Sequence, residues 1–238
     1  MKRSLCRLVA LGLFVGITGQ AMAQPSYRFT TLDVPGSVGT DAHGINDSGQ
    51  IVGIYDGHGF LLDQGGYTML DVPGAIWTYA SGINASGQIV GTYYDAADNS
   101  HGFLYDQGSY TTLDAPGGSG DLFAHGINAS GQIVGYYYHA GNESHGFLLD
   151  QGGYTPLDVP GALYTYAFGI NASSQIVGIY YDAAKGIHGF LLDQGNYTTL
   201  DVPGSTWTQA HAINDSGQIV GSYRDSAGQH GFLATPVP

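Results

Sequence analysis

Short runs of apolar and aromatic residues alternate with turn residues along the chain beyond residue 23. In one stretch the runs cover residues 79–84, 88–93, 101–106 and 110–115, which we name A, B, C and D. The links between A and B and between C and D are rich in Asn, Gly and Ser, as in tight β-hairpins. Because no stretch keeps a 3.6-residue apolar period, the pattern predicts four antiparallel strands and no helix.

This four-strand pattern occurs five times, with a period of about 43 residues. The string Gly-Ile-Asn-x-Ser-Gly-Gln-Ile-Val-Gly, with one change each at Ser174 and Ala212, begins at Gly44, Gly82, Gly126, Gly169 and Ala212. His-Gly-Phe follows in every copy, at His58, His101, His145, His188 and His230. Leu-Asp-x-Pro-Gly, where x is Val or Ala, begins at Leu32, Leu70, Leu113, Leu157 and Leu200. A period in the low forties made of strands and turns is typical of propeller blades.

The two ends of the repeated region hold complementary parts of one copy. Residues 27–34 form a D run with no copy before it, and residues 230–233 form a C run with no D run after it. We expect these two runs to pair. The sequence therefore predicts an all-β fold, a single five-bladed β-propeller over residues 24–238, with four antiparallel strands per blade and closure by the N-terminal strand.

Residues 1–23 have the features of a secretory signal peptide. A basic start is followed by an apolar core at residues 8–17 and by Ala21-Met22-Ala23, a small-x-small cleavage site. The apolar core is too short to predict membrane insertion. The single cysteine, Cys6, lies inside this segment, so the mature chain has no cysteine for a disulfide. We expect a secreted or periplasmic protein.

The charge balance excludes some partners. The net charge is −13 at pH 7, and three of the six basic residues lie in the signal segment. Nucleic acid and anionic membrane surfaces require positive charge, so neither is an expected partner. An extracellular glycan or protein remains.

One face of the predicted propeller is uniform and the other is variable. The A–B and C–D turns keep their lengths in every copy, whereas the B–C links, and the D–A links that precede each A run, vary in length or sequence. Binding sites commonly lie on variable loops that a rigid scaffold holds. We therefore expect the functional site on the face of the B–C and D–A links.

Aromatic residues are concentrated in and around those variable links. Trp and Tyr rings stack on the apolar faces of sugars, and nearby polar groups hold the hydroxyls. We expect a non-enzymatic module that recognises carbohydrate, although the rings could instead pack between blades. The predicted ligand-binding residues are Trp77, Tyr79, Phe123, Tyr164, Tyr166 and Trp207.

Two further sets allow other functions. Three copies carry a histidine immediately before Gly-Ile-Asn, or before Ala-Ile-Asn in the last copy: His43, His125 and His211. These three histidines could converge on a transition metal. No other cofactor is expected. Asp41 and Asp121 could face each other across the axis, as a glycoside hydrolase or lyase would need. A purely structural or protein-interaction propeller is the remaining alternative.

The string Asn-x-Ser-Gly-Gln-Ile-Val-Gly followed by His-Gly-Phe-Leu resembles the bacterial extracellular HAF-type repeat family, in a variant that has Gly where the family label has Ala. The resemblance covers the whole mature chain. It implies a secreted, propeller-like repeat protein and no catalytic residues.

We expect the five repeated histidines to form a hydrogen bond within each blade, and the five repeated aspartates to cap the turn after strand D.

Overall fold

The computed structural model describes residues 30–116, 120–139 and 143–237. They form five antiparallel sheets arranged in a ring, and no helix lies among them. Accordingly, no helix in this part of the chain could cross a membrane. The predicted five-bladed β-propeller is confirmed. The predicted signal segment, residues 1–23, lies outside the described residues.

The strands follow the chain from the inside of each blade to its outside. Blade 1 contains β1 (Thr40–Ile45), β2 (Ile51–Tyr55), β3 (His58–Asp63) and β4 (Gly66–Leu70). Blade 2 contains β5 (Trp77–Ile83), β6 (Ile89–Tyr94), β7 (Ser100–Asp106) and β8 (Ser109–Leu113). Blade 3 contains β9 (Leu122–Ile127), β10 (Ile133–His139), β11 (Glu143–Asp150) and β12 (Gly153–Leu157). Blade 4 contains β13 (Tyr164–Ile170), β14 (Ile176–Tyr181), β15 (Ile187–Asp193) and β16 (Asn196–Leu200). Blade 5 contains β17 (Trp207–Ile213), β18 (Ile219–Arg224) and β19 (Gln229–Ala234).

Blade 5 has three strands within the described residues. The strand predicted to complete it, 27–34, lies outside the described residues at positions 27–29 and is not a strand at positions 30–34. Val34 is buried against Phe60 and Leu62 of blade 1. Closure by the N-terminal strand therefore stays a prediction.

The repeated Asn-x-Ser-Gly-Gln string holds each A–B turn and ties it to the next blade. The Oδ1 of Asn84 accepts the N–H groups of Ser86 and Gln88. Its Nδ2 donates to Gln88 Oε1 at 2.8 Å and to the carbonyl of Asn128 in blade 3 at 3.1 Å. Equivalent bonds to the next blade start from Asn46, Asn128 and Asn171. The uniform face is thus a chain of amide hydrogen bonds.

The repeated glycine of strand B allows the innermost strand to come unusually close. A Cβ on Gly135 would clash with the carbonyl oxygen of Phe123 and lie 2.8 Å from the Phe147 ring. Beside this position the innermost strand bulges, with His125 as the extra residue between Ala124 and Gly126. The same bulge occurs in every blade, at the residue before Gly-Ile-Asn or Ala-Ile-Asn. Bulges redirect side chains, and here they do so around the ring axis.

The repeated histidines form the expected hydrogen bond within a blade, but the repeated aspartates have a different role from the one predicted. His101 Nδ1 donates to Asp114 at 2.8 Å, and Tyr93 stacks on the imidazole. The turn after strand D is instead held by a threonine of the next blade: the N–H of Val72 donates to Thr78 Oγ1 at 3.2 Å. In the same turn the carboxylate of Asp71 bonds to His58 at 2.9 Å, so the aspartate orients the histidine while the hydroxyl caps the turn.

The joint between blades 5 and 1 differs from the other four joints. Val134 in blade 3 is 0% exposed, whereas its equivalent in blade 5, Val220, is 47% exposed. Leu233 is also exposed. The side chain of Asn214 donates to Gln218 of its own turn at 2.9 Å, and no bond from it to blade 1 occurs within the described residues. We call this region the open joint.

Candidate functional site

The five innermost strands surround a central cavity of about 760 Å³. Each strand contributes the bulge residue and the two residues after it, and blade 1 adds Ala42. The bulge residues are His43, Ser81, His125, Phe168 and His211, so the copies differ from one another at this position. The structure therefore brings the three predicted metal-ligand histidines into one cavity.

Three of the bulge side chains reach toward the next blade. His43 Nδ1 lies 3.3 Å from the carbonyl oxygen of Ala80. The ring of His125 packs edge-on against Phe168 at 5.3 Å, and Phe168 stacks on His211 at 6.1 Å. In the described part of the chain, no group of three or more His, Cys, Asp or Glu side chains is placed to hold a metal ion. Metal binding by these histidines stays a prediction.

Burial keeps two imidazoles of the cavity, His125 and His211, neutral. Burial, and to a lesser degree the charge of His43, lowers the pKa of His125 to about 4. Burial also lowers the pKa of His211. The His211 Nε2 is hydrogen-bonded to Ser222 Oγ at 3.1 Å. At neutral pH these rings are uncharged polar groups in the wall of the cavity.

Aromatic residues of blades 2, 3 and 4 gather above this cavity, on the face of the variable links. Tyr136 stacks on Phe123 at 4.8 Å and on His125 at 5.4 Å, and it meets Tyr166 of blade 4 edge-on at 4.7 Å. Tyr94 contacts two more rings of blade 2, at 5.8 and 5.9 Å. We call this set the aromatic arc: Trp77, Tyr79, Tyr94, Phe123, Tyr136, Tyr138, Tyr164, Tyr166 and Tyr181.

The arc contains five of the six predicted ligand-binding residues. The sixth, Trp207, lies apart and lines a separate cavity of about 200 Å³ with His188 and Asp201. Tyr136, which contacts four other aromatic rings, escaped the sequence analysis because it lies inside strand B and not in a link. A signal was present, since the position after the strand-B glycine varies among the copies: Ile54, Thr92, Tyr136, Ile179 and Ser222.

Burial raises the pKa values of several tyrosines of the arc, so these phenols keep their protons at physiological pH. Burial, together with the nearby Tyr166, raises the pKa of Tyr138 to about 12. Burial also raises the pKa values of Tyr94 and Tyr136. Each ring is only partly buried, so the arc offers aromatic surface and phenol groups that can donate hydrogen bonds.

The same positions in blades 5 and 1 are mostly polar. Asp41 and Gln209 stand where blades 2, 3 and 4 carry Tyr79, Phe123 and Tyr166. We call the following set the polar arc: Asp41, Gln209, Ser222 and Arg224. The entrance of the cavity is therefore aromatic on one side and polar on the side of the open joint.

The two predicted catalytic carboxylates do not line the cavity, and its described lining contains no Asp or Glu. Asp41 is exposed on β1. Asp121 accepts the N–H of Ser100 at 3.0 Å, and its backbone carbonyl accepts the N–H of Tyr138 at 2.9 Å. Asp121 thus belongs to the rim of the aromatic arc.

The opposite mouth of the channel has a different character. A cavity of about 300 Å³ opens there and is lined by Ile, Asn, Ala and Asp from the A–B turns. The asparagine amides at this mouth are used to hold the turns, and in four blades they also bind the next turn. The variable face is therefore the better candidate for a binding site.

No protein-family model and no curated protein matches the sequence. Among solved structures, a candidate TolB from Agrobacterium tumefaciens is similar with a TM-score of 0.62 and 12% identity, over 82% of this chain and 76% of that chain. A catalytically inactive virginiamycin B lyase from Staphylococcus aureus, solved with quinupristin, is similar with a TM-score of 0.54 and 12% identity, over 87% of this chain and 74% of that chain. At this identity the likeness concerns the fold alone, and the chain shares a propeller-like architecture with both.

Proposed function

We propose that this protein is a secreted, non-enzymatic module that binds extracellular carbohydrate at the aromatic arc. The observation that carries the proposal is the placement of the departures from the repeat. Positions required by the fold are the same in all blades, whereas two positions of the arc are aromatic in three consecutive blades and polar in the other two. The first position carries Tyr79, Phe123 and Tyr166 against Asp41 and Gln209, and the second carries Tyr94, Tyr138 and Tyr181 against Asp56 and Arg224. A feature that the fold does not require in every blade is a candidate for function.

The chemistry of the two arcs suits a sugar. Partly exposed rings offer flat surfaces for the C–H faces of a pyranose, and protonated phenols donate to its hydroxyls. Across the entrance, Gln209, Ser222 and Asp41 add further hydrogen-bonding groups. The resemblance to extracellular HAF-type repeats supports a protein that meets its ligand outside the cell.

A glycan array on residues 24–238 tests the proposal, with two matched tryptophan variants. Trp77 and Trp207 occupy the same repeat position, but Trp77, which is 47% exposed, contacts Tyr94 of the arc, whereas Trp207 pairs with Arg224. We expect Trp77→Ala to weaken glycan binding about tenfold, the loss of one stacked ring, and Trp207→Ala to change it less than about twofold.

Three outcomes count against the proposal. Equal losses in the two tryptophan variants would move the site away from the arc. Turnover of a bound glycan that Asp121→Asn abolishes would support the hydrolase or lyase alternative. No glycan binding at all would support a structural or protein-interaction propeller.

A further inference from the structure

The rim of the aromatic arc carries carboxylates without matching cations. Asp121 lies beside Tyr138, whose N–H it accepts, and it holds the B–C loop of blade 2 through the N–H of Ser100. Asp98 lies exposed in that loop, four residues after Tyr94. No ion pair joins either carboxylate to Lys or Arg within the described residues. The arc is therefore bordered by negative charge.

The polar arc adds a third carboxylate. Asp41 of blade 1 occupies the position that is aromatic in blades 2, 3 and 4, and it is exposed. The positive charge of the polar arc is Arg224, at the outer end of β18 in blade 5. Across the whole chain acidic residues outnumber basic ones, 19 to 6. Both the local and the total charge disfavour an anionic ligand.

The faces of the aromatic rings favour a cationic ligand, as these carboxylates do. The face of a Tyr or Trp ring is negative and attracts an ammonium group that lies within about 6 Å of its centre. A partly desolvated ring beside a carboxylate is thus a favourable place for a sugar that carries a protonated amine. A uronic acid would bring two like charges together there.

We infer that the aromatic arc selects a cationic saccharide, an amino-sugar oligomer whose free ammonium groups face Asp121 and the surrounding rings. This inference rests on the proposed function, since it assigns the charge class of the carbohydrate that the same site binds. It also assigns Asp121 a role in specificity, because its carboxylate lies at the rim next to Tyr138.

Titration calorimetry with three oligomers of equal length tests the inference: glucosamine, N-acetylglucosamine and a uronic acid. At about pH 6, where the sugar amines are largely protonated, we expect the glucosamine oligomer to bind about fivefold to tenfold more tightly than the acetylated one, because an ion pair and a cation–π contact act together. The difference should shrink as salt is raised, because partly exposed charges are screened. The uronic acid oligomer should bind most weakly.

Two variants locate the charge effect. Asp121→Asn keeps an oxygen that can accept the Ser100 N–H, and it should remove most of the preference for glucosamine, measured as the ratio of the affinities for the glucosamine and N-acetylglucosamine oligomers. Asp47→Asn removes the same charge at the opposite mouth of the channel, where Asp47 is exposed, and should preserve the preference. Equal effects from the two variants would overturn the assignment to Asp121.

The outcomes separate this inference from the proposed function. Equal binding of glucosamine and N-acetylglucosamine oligomers would overturn the cationic preference and leave carbohydrate binding intact. Tighter binding of the uronic acid oligomer would overturn it as well. Failure of every oligomer, combined with a blank glycan array, would overturn the proposed function and this inference together.

Discussion

Blades 3 and 5 are built from the same repeat, yet only blade 3 is fully enclosed. In blade 3, Val134 is buried and Asn128 is bonded to the carbonyl of Asn171 in the next blade. In blade 5, Val220 is exposed and the side-chain bonds of Asn214 stay within its own turn. The comparison shows that a repeat residue stabilises the fold only where its side chain contacts a neighbouring blade.

Blade 5 also differs from the other blades in its sequence, at one position of its innermost strand. A Cβ on Gly82 would lie 2.7 Å from the carbonyl oxygen of His125, and one on Gly126 would lie 2.9 Å from that of Phe168. Glycine is thus needed where the next blade approaches. Blade 5 carries Ala212 at this position, beside the open joint. The exception to the repeat and the exception in the packing coincide.

The largest expected effect comes from the N-terminal segment. Deleting residues 24–35 removes Val34 from its buried contact with Phe60 and Leu62, and it removes the strand predicted to complete blade 5. We expect the midpoint of thermal unfolding to fall by about 5 °C or more, since burying one Val side chain contributes about 1.5–3 kcal/mol. A second deletion, residues 24–31, keeps Val34 and isolates closure. Unchanged unfolding of that second variant would contradict closure by the strand.

Adding or removing one methyl group at equivalent positions distinguishes a tight joint from the open one. Gly82→Ala forces the backbones of blades 2 and 3 apart, and we expect a loss of about 2–3 kcal/mol in the free energy of unfolding. The reverse change in blade 5, Ala212→Gly, should cost less than about 1 kcal/mol, the usual cost of a glycine in place of an alanine within a strand. Denaturant titration of both variants measures the two values. Similar losses would mean that the fifth joint is as tight as the second.

The asparagine side chains that link neighbouring A–B turns should show the same contrast on a smaller scale. Asn128→Ala breaks the bonds within its turn and the bond to Asn171, whereas Asn214→Ala breaks bonds within its own turn. We expect the variant in blade 3 to lose about 1 kcal/mol more than the variant in blade 5, the net contribution of one hydrogen bond. The same denaturant titration checks it. A larger loss of unfolding free energy in the blade 5 variant would contradict this role of the asparagine side chains.

The smallest effect concerns pH and the outer histidines. Partial burial disfavours the charged ring of His188, but its hydrogen bonds to Asp201 and Asp182 outweigh burial and raise its pKa. A raised pKa in the folded state stabilises the fold below the ordinary pKa of histidine, and this stabilisation disappears as pH rises through the raised value. Asp201→Asn should therefore lower the unfolding midpoint by a few degrees at most in acid and by less above neutral pH.

NMR titration of the imidazole checks the cause of this pH dependence. The His188 ring should titrate above the ordinary histidine range, and Asp201→Asn should bring it down. Asp193→Asn, which removes a carboxylate bonded to Gln175 on the uniform face, should leave the His188 titration unchanged. A His188 ring that titrates at its ordinary value in all three proteins would contradict the role of the two carboxylates.

The sequence predicted the fold because repetition within one chain shows which positions every blade needs. The string around Asn84 and the glycine before it could be recognised without a structure. The bulge at His125 could not, because it arises from the close approach of two backbones across Gly135. The role predicted for Asp71 was wrong for a similar reason, since the hydroxyl that caps the turn after it belongs to Thr78 of the next blade.

The candidate site was predicted in part. Its face followed from the variable links, and Trp77, Tyr79 and Phe123 followed from their sequence near those links. Tyr136 was missed because strand periodicity alone does not tell which face of a twisted strand meets the ring of a neighbouring blade. The separation of Trp207 from the arc also required the structure, because it depends on the polar residues of blade 5.

Hydrogen exchange of backbone amides in the free protein tests most directly whether the repeat residues stabilise a blade only where they contact a neighbouring blade. Strand β10 of blade 3 lies between two neighbouring blades, whereas β18 of blade 5 borders the open joint. Since local opening is easier where fewer apolar contacts are buried, we expect β18 to exchange at least about tenfold faster than β10. Equal protection of the two strands would contradict the account.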